Sequence, residues 1–414
     1  MINVGILGLG NIGSQVYSLI CQRRYLNKEI RIVKVYDVEK KRYKDLNVPR
    51  PLKANSSRDI TRNPHIDVVV ELIGGLHPAR EIIVDSLKHN KHIVSANKHL
   101  LAYFGKSLFS LASQRNLSIR FEASVCAGIP IIDILRHTLL PDKVRGFKGI
   151  INGTTNFILD LMENQHIDFR EALNVAQKKG IAERNPVLDI EGRDSLHKLI
   201  ILNYLCFGIW VSPRDVLCQG VGDIQGLDVV FAKELGYSVK LLAVSRLEKN
   251  RLYTYVSPAL VSHRHPLSGI REDFNALFLD TDLAGNLLFY GKGAGRLPTS
   301  SAVITDLLRI KNIDSPKRRH LKPQMADSQN LRSRFYIRFM AKDRPGVLAK
   351  ISSILASYNI SISSVTQKER SITSVVPIVM LTHEAVYKDL NAALEKIDRL
   401  NVIKGRSVCI RIEA

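Results

Sequence analysis

Along residues 1–128, short apolar runs alternate with stretches in which apolar side chains recur every three to four positions. The first run, Ile2–Leu7, enters Gly8-Leu9-Gly10-Asn11-Ile12-Gly13, after which Val16, Leu19 and Ile20 share one helical face. A second strand is expected over Ile30–Tyr36, ending at Asp37. Further strands are expected over 67–72, 92–95 and 118–122, with helices over 79–89 and from about residue 104. Strands alternating with helices predict a parallel, doubly wound α/β sheet.

The middle of the chain mixes long amphipathic helices with strand-like runs at 145–151 and 252–256. Its most informative charged segment is 180–198, GIAERNPVLDIEGRDSLHK. Asp194 and Lys198 are four apart at the start of a helix that is apolar from Leu199 onward, so they share one face, one turn apart. An ammonium beside a carboxylate at the mouth of an apolar helix suits proton transfer. On spacing alone, an exposed ion pair worth about 0.3–0.5 kcal/mol is the simpler reading.

From residue 334 the pattern becomes β-α-β-β-α-β. Strands are expected at 335–340, 361–367, 374–382 and 403–412. One helix carries Val347, Leu348, Ile351, Ile354 and Leu355 on a face; the other carries Val386, Leu390, Ala393, Leu394 and Ile397. This is enough chain for a small independent sandwich. Before it, 312–333 is charged, carries Pro316 and Pro323, and reads as a linker.

At about 100–200 residues per domain, 414 residues imply two to four domains. A 45% hydrophobic and 24% charged chain is globular, which excludes disordered, collagenous and membrane-embedded classes. The apolar, uncharged run 199–213 falls short of the roughly 20 residues of a membrane span. No basic segment precedes the first apolar run, so a secretory signal is not expected. Sixty Lys and Arg against 39 Asp and Glu give +21 and raise the question of nucleic acid. The charge is spread out, however, and neither Lys40-Lys41-Arg42 nor 316–320 is interleaved with aromatic residues, so no nucleic-acid partner is expected. Five scattered cysteines without a C-x-x-C pair argue against disulfides and zinc and for a cytoplasmic protein. His89, His92, His263 and His265 read as surface residues rather than ligands.

The glycine motif carries chemistry because of its place between a strand and a helix. Gly8 permits the tight turn, Gly10 admits a pyrophosphate to the backbone, and Gly13 lets helix and strand approach. Free N–H groups at the helix start then bind the anion. Asp37, 24 residues beyond Gly13, could accept a hydrogen bond from a ribose 2′-hydroxyl, as in NAD. Lys40, Lys41 and Arg42 could neutralise the 2′-phosphate of NADP. The alternatives stay open on sequence.

A set of collinear motifs adds a resemblance: GILGLGNIG (5–13), VVVELIGG (68–75), IVSANKHLLA (93–102), FEASVCAGIPII (121–132), GIINGTTNFIL (149–159), segment 180–198, GYSVKLLA (236–243), YGKGAGRLPTSSAV (290–303) and RFYIRFMAKDRPGVLAKISSIL (334–355). The chain resembles homoserine dehydrogenase with a C-terminal ACT domain. The resemblance implies a Rossmann-like dinucleotide-binding domain over 1–128. A catalytic and dimerisation domain would follow over 129–311, its last helix returning to the first domain. Linker 312–333 and an ACT regulatory domain over 334–414 would complete the chain. It also implies the NAD(P)-dependent interconversion of L-homoserine and L-aspartate 4-semialdehyde, in the biosynthesis of threonine, methionine and isoleucine. No aspartokinase module precedes the dinucleotide strand, so a monofunctional enzyme is expected.

Site residues follow by position. Lys98 matches a lysine lying between nicotinamide and substrate, Lys198 a proton donor to the developing alkoxide, and Asp194 its partner. Glu183 matches the carboxylate that holds the substrate ammonium, and Asp189 a further acidic position. Backbone N–H groups of Gly153-Thr154-Thr155 are candidates for the substrate carboxylate. Cofactor positions are Gly8, Gly10, Asn11, Ile12, Gly13, Asp37, Lys40, Ser95, Lys98 and Gly293. A monovalent cation, sodium, is expected on the Glu122 side chain and the carbonyls of Val125, Ala127 and Ile129. L-Threonine is the expected effector, at the Asp343–Gly346 turn, with Gly346 and Asn359 the named positions. A homodimer or homotetramer is expected, with no membrane partner. The chain departs from the family pattern at Ile181 (for tyrosine), Asn185 (for an acid), Tyr36 (for arginine) and Cys126 (for a small residue).

Overall fold

Five short runs rich in Val and Ile build the parallel sheet of the first unit: β1 (Ile2–Leu7), β2 (Ile30–Tyr36), β3 (Val68–Glu71), β4 (His92–Ser95) and β5 (Ile119–Arg120). Their order is β2-β1-β3-β4-β5, every neighbouring pair parallel. All four residues of β3 are buried, as expected for a strand covered on both faces. The structure is a computed structural model describing residues 1–310, 323–367 and 375–413. The chain divides into two units, the first comprising 1–144, 197–213 and 280–322.

Helix Arg296–Arg309 packs in this unit: Ala302, Val303, Ile304 and Leu307 share one apolar cluster with Val16, Tyr17 and Ile20 of helix Asn11–Gln22. The helix after β4 begins at Lys98, earlier than the periodicity implied, because Asn97 caps it: its Oδ1 accepts the Leu100 N–H at 3.0 Å. The strand expected to reach residue 122 stops at Arg120 and gives way to a 3₁₀ turn, Glu122–Ser124. Gly105 is required where this helix meets Trp210, since a Cβ there would lie 2.2 Å from the indole. Trp210 stacks on Tyr204 at 4.4 Å between ring centroids, with Phe109 at 5.8 Å.

The second unit comprises 145–196, 214–279 and 323–414. Its sheet runs in the order Phe274–Thr281, Val144–Ile150, Tyr237–Glu248, Arg251–Ser262, Val408–Glu413, Arg332–Lys342, Val375–Thr382, Ile362–Gln367. The C-terminal βαββαβ pattern is present with an apolar core of its own, and its sheet continues into that of the rest of the unit. Val408–Glu413 pairs in parallel with Arg251–Ser262, through Arg411↔Ala259, Ile412↔Leu260 and Glu413↔Val261. Arg338 donates to both oxygens of the fully buried Asp228, at 2.6 and 3.0 Å, and the Tyr336 hydroxyl donates to the same carboxylate at 3.0 Å. Breaking such a buried pair costs about 3–5 kcal/mol.

Three expected boundaries move. The last strand starts at Val408 rather than 403, because Gly405, at φ +76°, turns the chain. Val386 lies in a short strand, Ala385–Val386, and the helix starts at Tyr387. Of the expected linker, 312–322 lies outside the described residues, as does Ser374 of the strand expected from 374. Residues 323–333 are structured: Gln324–Met325 pairs with Arg251 and Leu252. No helix among the described residues is long and apolar enough to cross a membrane.

Candidate functional site

In the first unit the glycine turn is built by close approach. Gly8 has φ +94°, and a Cβ on Gly13 would fall 1.9 Å from the Gly8 carbonyl oxygen. Gly10 is open: the nearest atom to a Cβ there is Arg42 Nη1 at 3.8 Å. Asn11 and Ile12 begin the helix, so their N–H groups have no intrahelical acceptor. A bare backbone, free donors and open space at Gly10 fit a dinucleotide pyrophosphate.

Asp37 holds this turn together. It is buried; Oδ2 accepts the Leu9 N–H at 2.6 Å and Arg42 Nη1 at 2.9 Å, and Oδ1 accepts the Glu39 N–H at 2.8 Å. Burial alone would raise its pKa, but the two backbone donors and the Arg42 guanidinium hold the carboxyl below its usual value. Arg42, not Lys40, is therefore the cation engaged at the acid position; Lys40 lies exposed at the start of a short helix. The buried Ser95 hydroxyl donates to Glu71 at 2.7 Å and accepts the Asn97 N–H at 3.1 Å, so its side chain ties β4 to β3.

Lys98 opens helix Lys98–Gln114, half-buried, and Lys198 is buried on helix Arg193–Phe207. The residue after one lysine and the residue before the other stack: His99 and His197 lie 4.6 Å apart with planes 19° from parallel, and Tyr103 packs on both. Burial and the neighbouring Lys98 push the His99 imidazole below its ordinary pKa. Sequence reasoning missed this pair. It also misplaced two others: His92 and His265 are half-buried, their Nδ1 atoms accepting the N–H groups of Ser118 at 3.1 Å and Leu267 at 3.2 Å. His89 and His263 are exposed, as expected.

In the second unit, Asn152 gathers the acidic positions. Its Nδ2 donates to Asp189 Oδ1 at 2.7 Å and Asp194 Oδ2 at 2.8 Å. Its Oδ1 caps helix Gly153–Gln165 by accepting the Thr155 N–H at 2.8 Å. Thr155 is therefore not available to a substrate carboxylate, whereas Gly153 and Thr154 stand at uncapped positions of the same first turn. A Cβ on Gly153 would meet the Asp273 carbonyl at 2.6 Å. Asp194 is buried, Asp189 half-buried and Glu183 exposed on its loop. Asn152 lies inside a quoted motif, yet only the fold brings its amide to two carboxylates distant in sequence.

Glu122 is buried, its carboxylate accepting the N–H groups of Ile132 at 3.0 Å and Asp133 at 2.8 Å. Its own N–H donates to Asp306 Oδ2 at 2.7 Å. Burial, then the Asp306 charge, pushes Glu122 up to about 8, and burial pushes Asp306 to about 7. Arg120 and Arg136 act on Asp306 from nearby, and the adjoining loop is turned by Cys126 at φ +48°. The Ile129 carbonyl already accepts the Ile131 N–H at 2.7 Å, and Gly293, named for the cofactor, accepts the Ala127 N–H at 3.1 Å. Among the described residues no group of three or more His, Cys, Asp or Glu side chains could hold a metal ion, so any cation here would rest mainly on carbonyls.

In the C-terminal module, a cavity of about 360 Å³ is lined by Lys342, Asp343, Arg344, Gly346, Gln367 and Ile378, among others. Gly346, at φ +82°, starts helix Val347–Ser357 there. Asn359, at φ +57°, ends the same helix and is not in the lining.

Comparison with known proteins matches this layout. Residues 8–122 match the family described as homoserine dehydrogenase, NAD binding domain, 130–308 match homoserine dehydrogenase, and 335–401 match the ACT domain. The homoserine dehydrogenase of Neisseria gonorrhoeae is 35% identical, covering 100% of this chain and 99% of its own. A crystal structure of homoserine dehydrogenase from Thiobacillus denitrificans superposes with TM-score 0.92 at 36% identity, covering 100% of this chain and 98% of that one. A hyperthermophilic archaeal homoserine dehydrogenase in complex with NADPH gives TM-score 0.65 at 25% identity, over 77% of this chain and 99% of that one.

Proposed function

Because the chain belongs to the homoserine dehydrogenase family, and is an NAD(P)-dependent oxidoreductase, we propose that it interconverts L-homoserine and L-aspartate 4-semialdehyde through Lys198. The observation that carries this reading is the Asn152 amide, which holds Asp189 and Asp194 together one helical turn before Lys198. The nicotinamide supplies or accepts the hydride. The protein's part is charge and protons. As an aldehyde oxygen gains negative charge, the ammonium of Lys198 stabilises it and delivers the proton, with Lys98 adding positive charge. Asp194, steadied by Asn152, is the partner assigned to Lys198, one turn earlier on the same helix. Glu183 meets the substrate ammonium, with Asp189 beside it, and the N–H groups of Gly153 and Thr154 meet its carboxylate.

The cofactor rests on Gly8, Gly10, Asn11, Ile12 and Gly13. Arg42, paired to Asp37 near the open face of Gly10, can turn to a 2′-phosphate, which supports use of NADP alongside NAD. Sodium at Glu122 and the carbonyls of Val125, Ala127 and Ile129 would offset the crowding of the Glu122 and Asp306 carboxylates. L-Threonine in the cavity beside Gly346 restrains flux toward threonine, methionine and isoleucine, and a cytoplasmic homodimer or homotetramer is the working assembly. Initial rates with L-homoserine and NAD⁺ or NADP⁺ test this, with and without threonine. Lys198→Ala abolishes turnover; a variant within about threefold of wild type refutes its role.

A further inference from the structure

A side-chain hydrogen bond links the C-terminal module to the segment 217–221, which backs the acidic segment. Tyr387 is the first residue of helix Tyr387–Asp398, and its hydroxyl accepts Gln219 Nε2 at 2.6 Å. Its ring is held from the module's own side: Phe335 packs at 5.9 Å and the Arg411 guanidinium lies 5.2 Å from the ring centroid. Burial raises the hydroxyl's pKa, so it is protonated at neutral pH.

Gln219 in turn sits in a segment that supports the turn carrying Asp189. Leu217 and Cys218 pair in parallel with Tyr255 and Val256, and the Gln219 N–H donates to the Val256 carbonyl at 2.8 Å. Immediately after it, Gly220 presses on the acidic segment so closely that a Cβ would fall 2.0 Å from the Ile190 carbonyl oxygen. The Val221 N–H donates to that same oxygen at 2.9 Å, and the Cys218 thiol donates to the Glu191 carbonyl at 3.4 Å. Gly192, at φ +78°, would bring a Cβ to 3.3 Å from the Gln219 carbonyl. Residues 218–221 therefore act as a rigid back plate for 190–192, between the two carboxylates that Asn152 holds.

We propose that Tyr387 and Gln219 are positioning residues for the substrate-side acid Asp189, so that the C-terminal module sets the geometry of that carboxylate in the absence of any effector. This rests on the reading of Asp189 as part of the homoserine site. Glu183 and Lys198 are left to act directly, whereas Tyr387 acts only through the back plate. Removing the Tyr387 hydroxyl keeps the ring and its packing but releases Gln219. The plate and the turn it supports then gain freedom, which weakens the binding of a substrate held beside Asp189.

The test uses the full chain and steady-state kinetics of the wild type, Tyr387→Phe, Gln219→Ala and the double variant. Each single change is expected to raise KM for L-homoserine about fivefold, leaving kcat and KM for NADP⁺ within about twofold. Thermal midpoints should stay within about 4 °C of wild type. The double variant should be no worse than either single one, because both break the same bond. Unchanged homoserine KM in both single variants, additive effects in the double, or parallel loss of both substrates' KM and of the thermal midpoint overturns the proposal. Failure of the wild type itself to oxidise homoserine refutes the underlying site reading instead, and is seen before any variant is compared.

Discussion

Substitution of Asn152 separates its two tasks. Asn152→Ala removes the helix cap on Thr155 and both donors to Asp189 and Asp194. The cap is worth about 1 kcal/mol, and each hydrogen bond to a charged group about 1.5–3 kcal/mol. Coupling through the shared amide makes these less than additive, so a stability loss of about 3–5 kcal/mol is expected. Asn152→Asp keeps the cap, because Asp is as good a cap as Asn. It replaces the donors with a third carboxylate, however, and three carboxylates in contact force at least one pKa upward. Both variants should lose about 100-fold in kcat/KM for homoserine at pH 8, equivalent to about 2.7 kcal/mol. Their pH profiles should then diverge. Asn152→Asp should recover part of its activity toward pH 6, where a proton shared among the carboxylates restores a donor, while Asn152→Ala should not. Denaturant unfolding with homoserine oxidation at pH 6, 7 and 8 reads both quantities. An Asn152→Asp enzyme as active as wild type, or one whose deficit is independent of pH, would falsify the argument.

Three further outcomes follow from contacts described above. Gly13→Ala, with a Cβ 1.9 Å from the Gly8 carbonyl, should abolish NADPH binding measured by fluorescence titration; retained affinity would mean that the turn is not the nucleotide site. Arg42→Ala should cut kcat/KM with NADP⁺ about tenfold more than with NAD⁺, and equal losses would remove Arg42 from 2′-phosphate recognition. Burial, opposed by Glu163 and Asp160 and assisted by Arg271, lowers the Lys240 ammonium from 10.5 to about 8. Between those values the unfolded chain holds a proton that the folded one has released. Lys240 thus contributes stability above pH 10.5 that is lost as pH falls through 8. The thermal midpoint of wild type should therefore gain on that of Lys240→Met as pH rises from 8 to 10.5, and a constant gap would contradict the shift.

What could be read from sequence was local. Ile2–Leu7, the glycine turn and the run VVVE are recognisable because their residues interact with near neighbours or fill a doubly covered strand. Lys98, Asp194 and Lys198 were reachable through motif resemblance. The start of the Lys98 helix was not, because Asn97 signals a cap only once the strand before it is known to end at Ser95. Asn152 meets Asp189 and Asp194 across 37 and 42 residues, so no periodicity points to the contact. The pairing of Arg411 with Ala259 joins strands far apart in the chain. Its only trace in sequence is an apolar C-terminal strand, equally suited to an isolated module.

The tryptophan wedged against Gly105 has a practical consequence. The chain contains one tryptophan, so its whole long-wavelength emission comes from a single ring clamped between Gly105 and Tyr204. That ring bears on the helix that Lys98 begins and stacks on a residue of the helix that carries Lys198. Any shift of one helix past the other would alter the polarity and quenching around the indole, giving an optical gauge of the lysine-bearing scaffold without an attached dye.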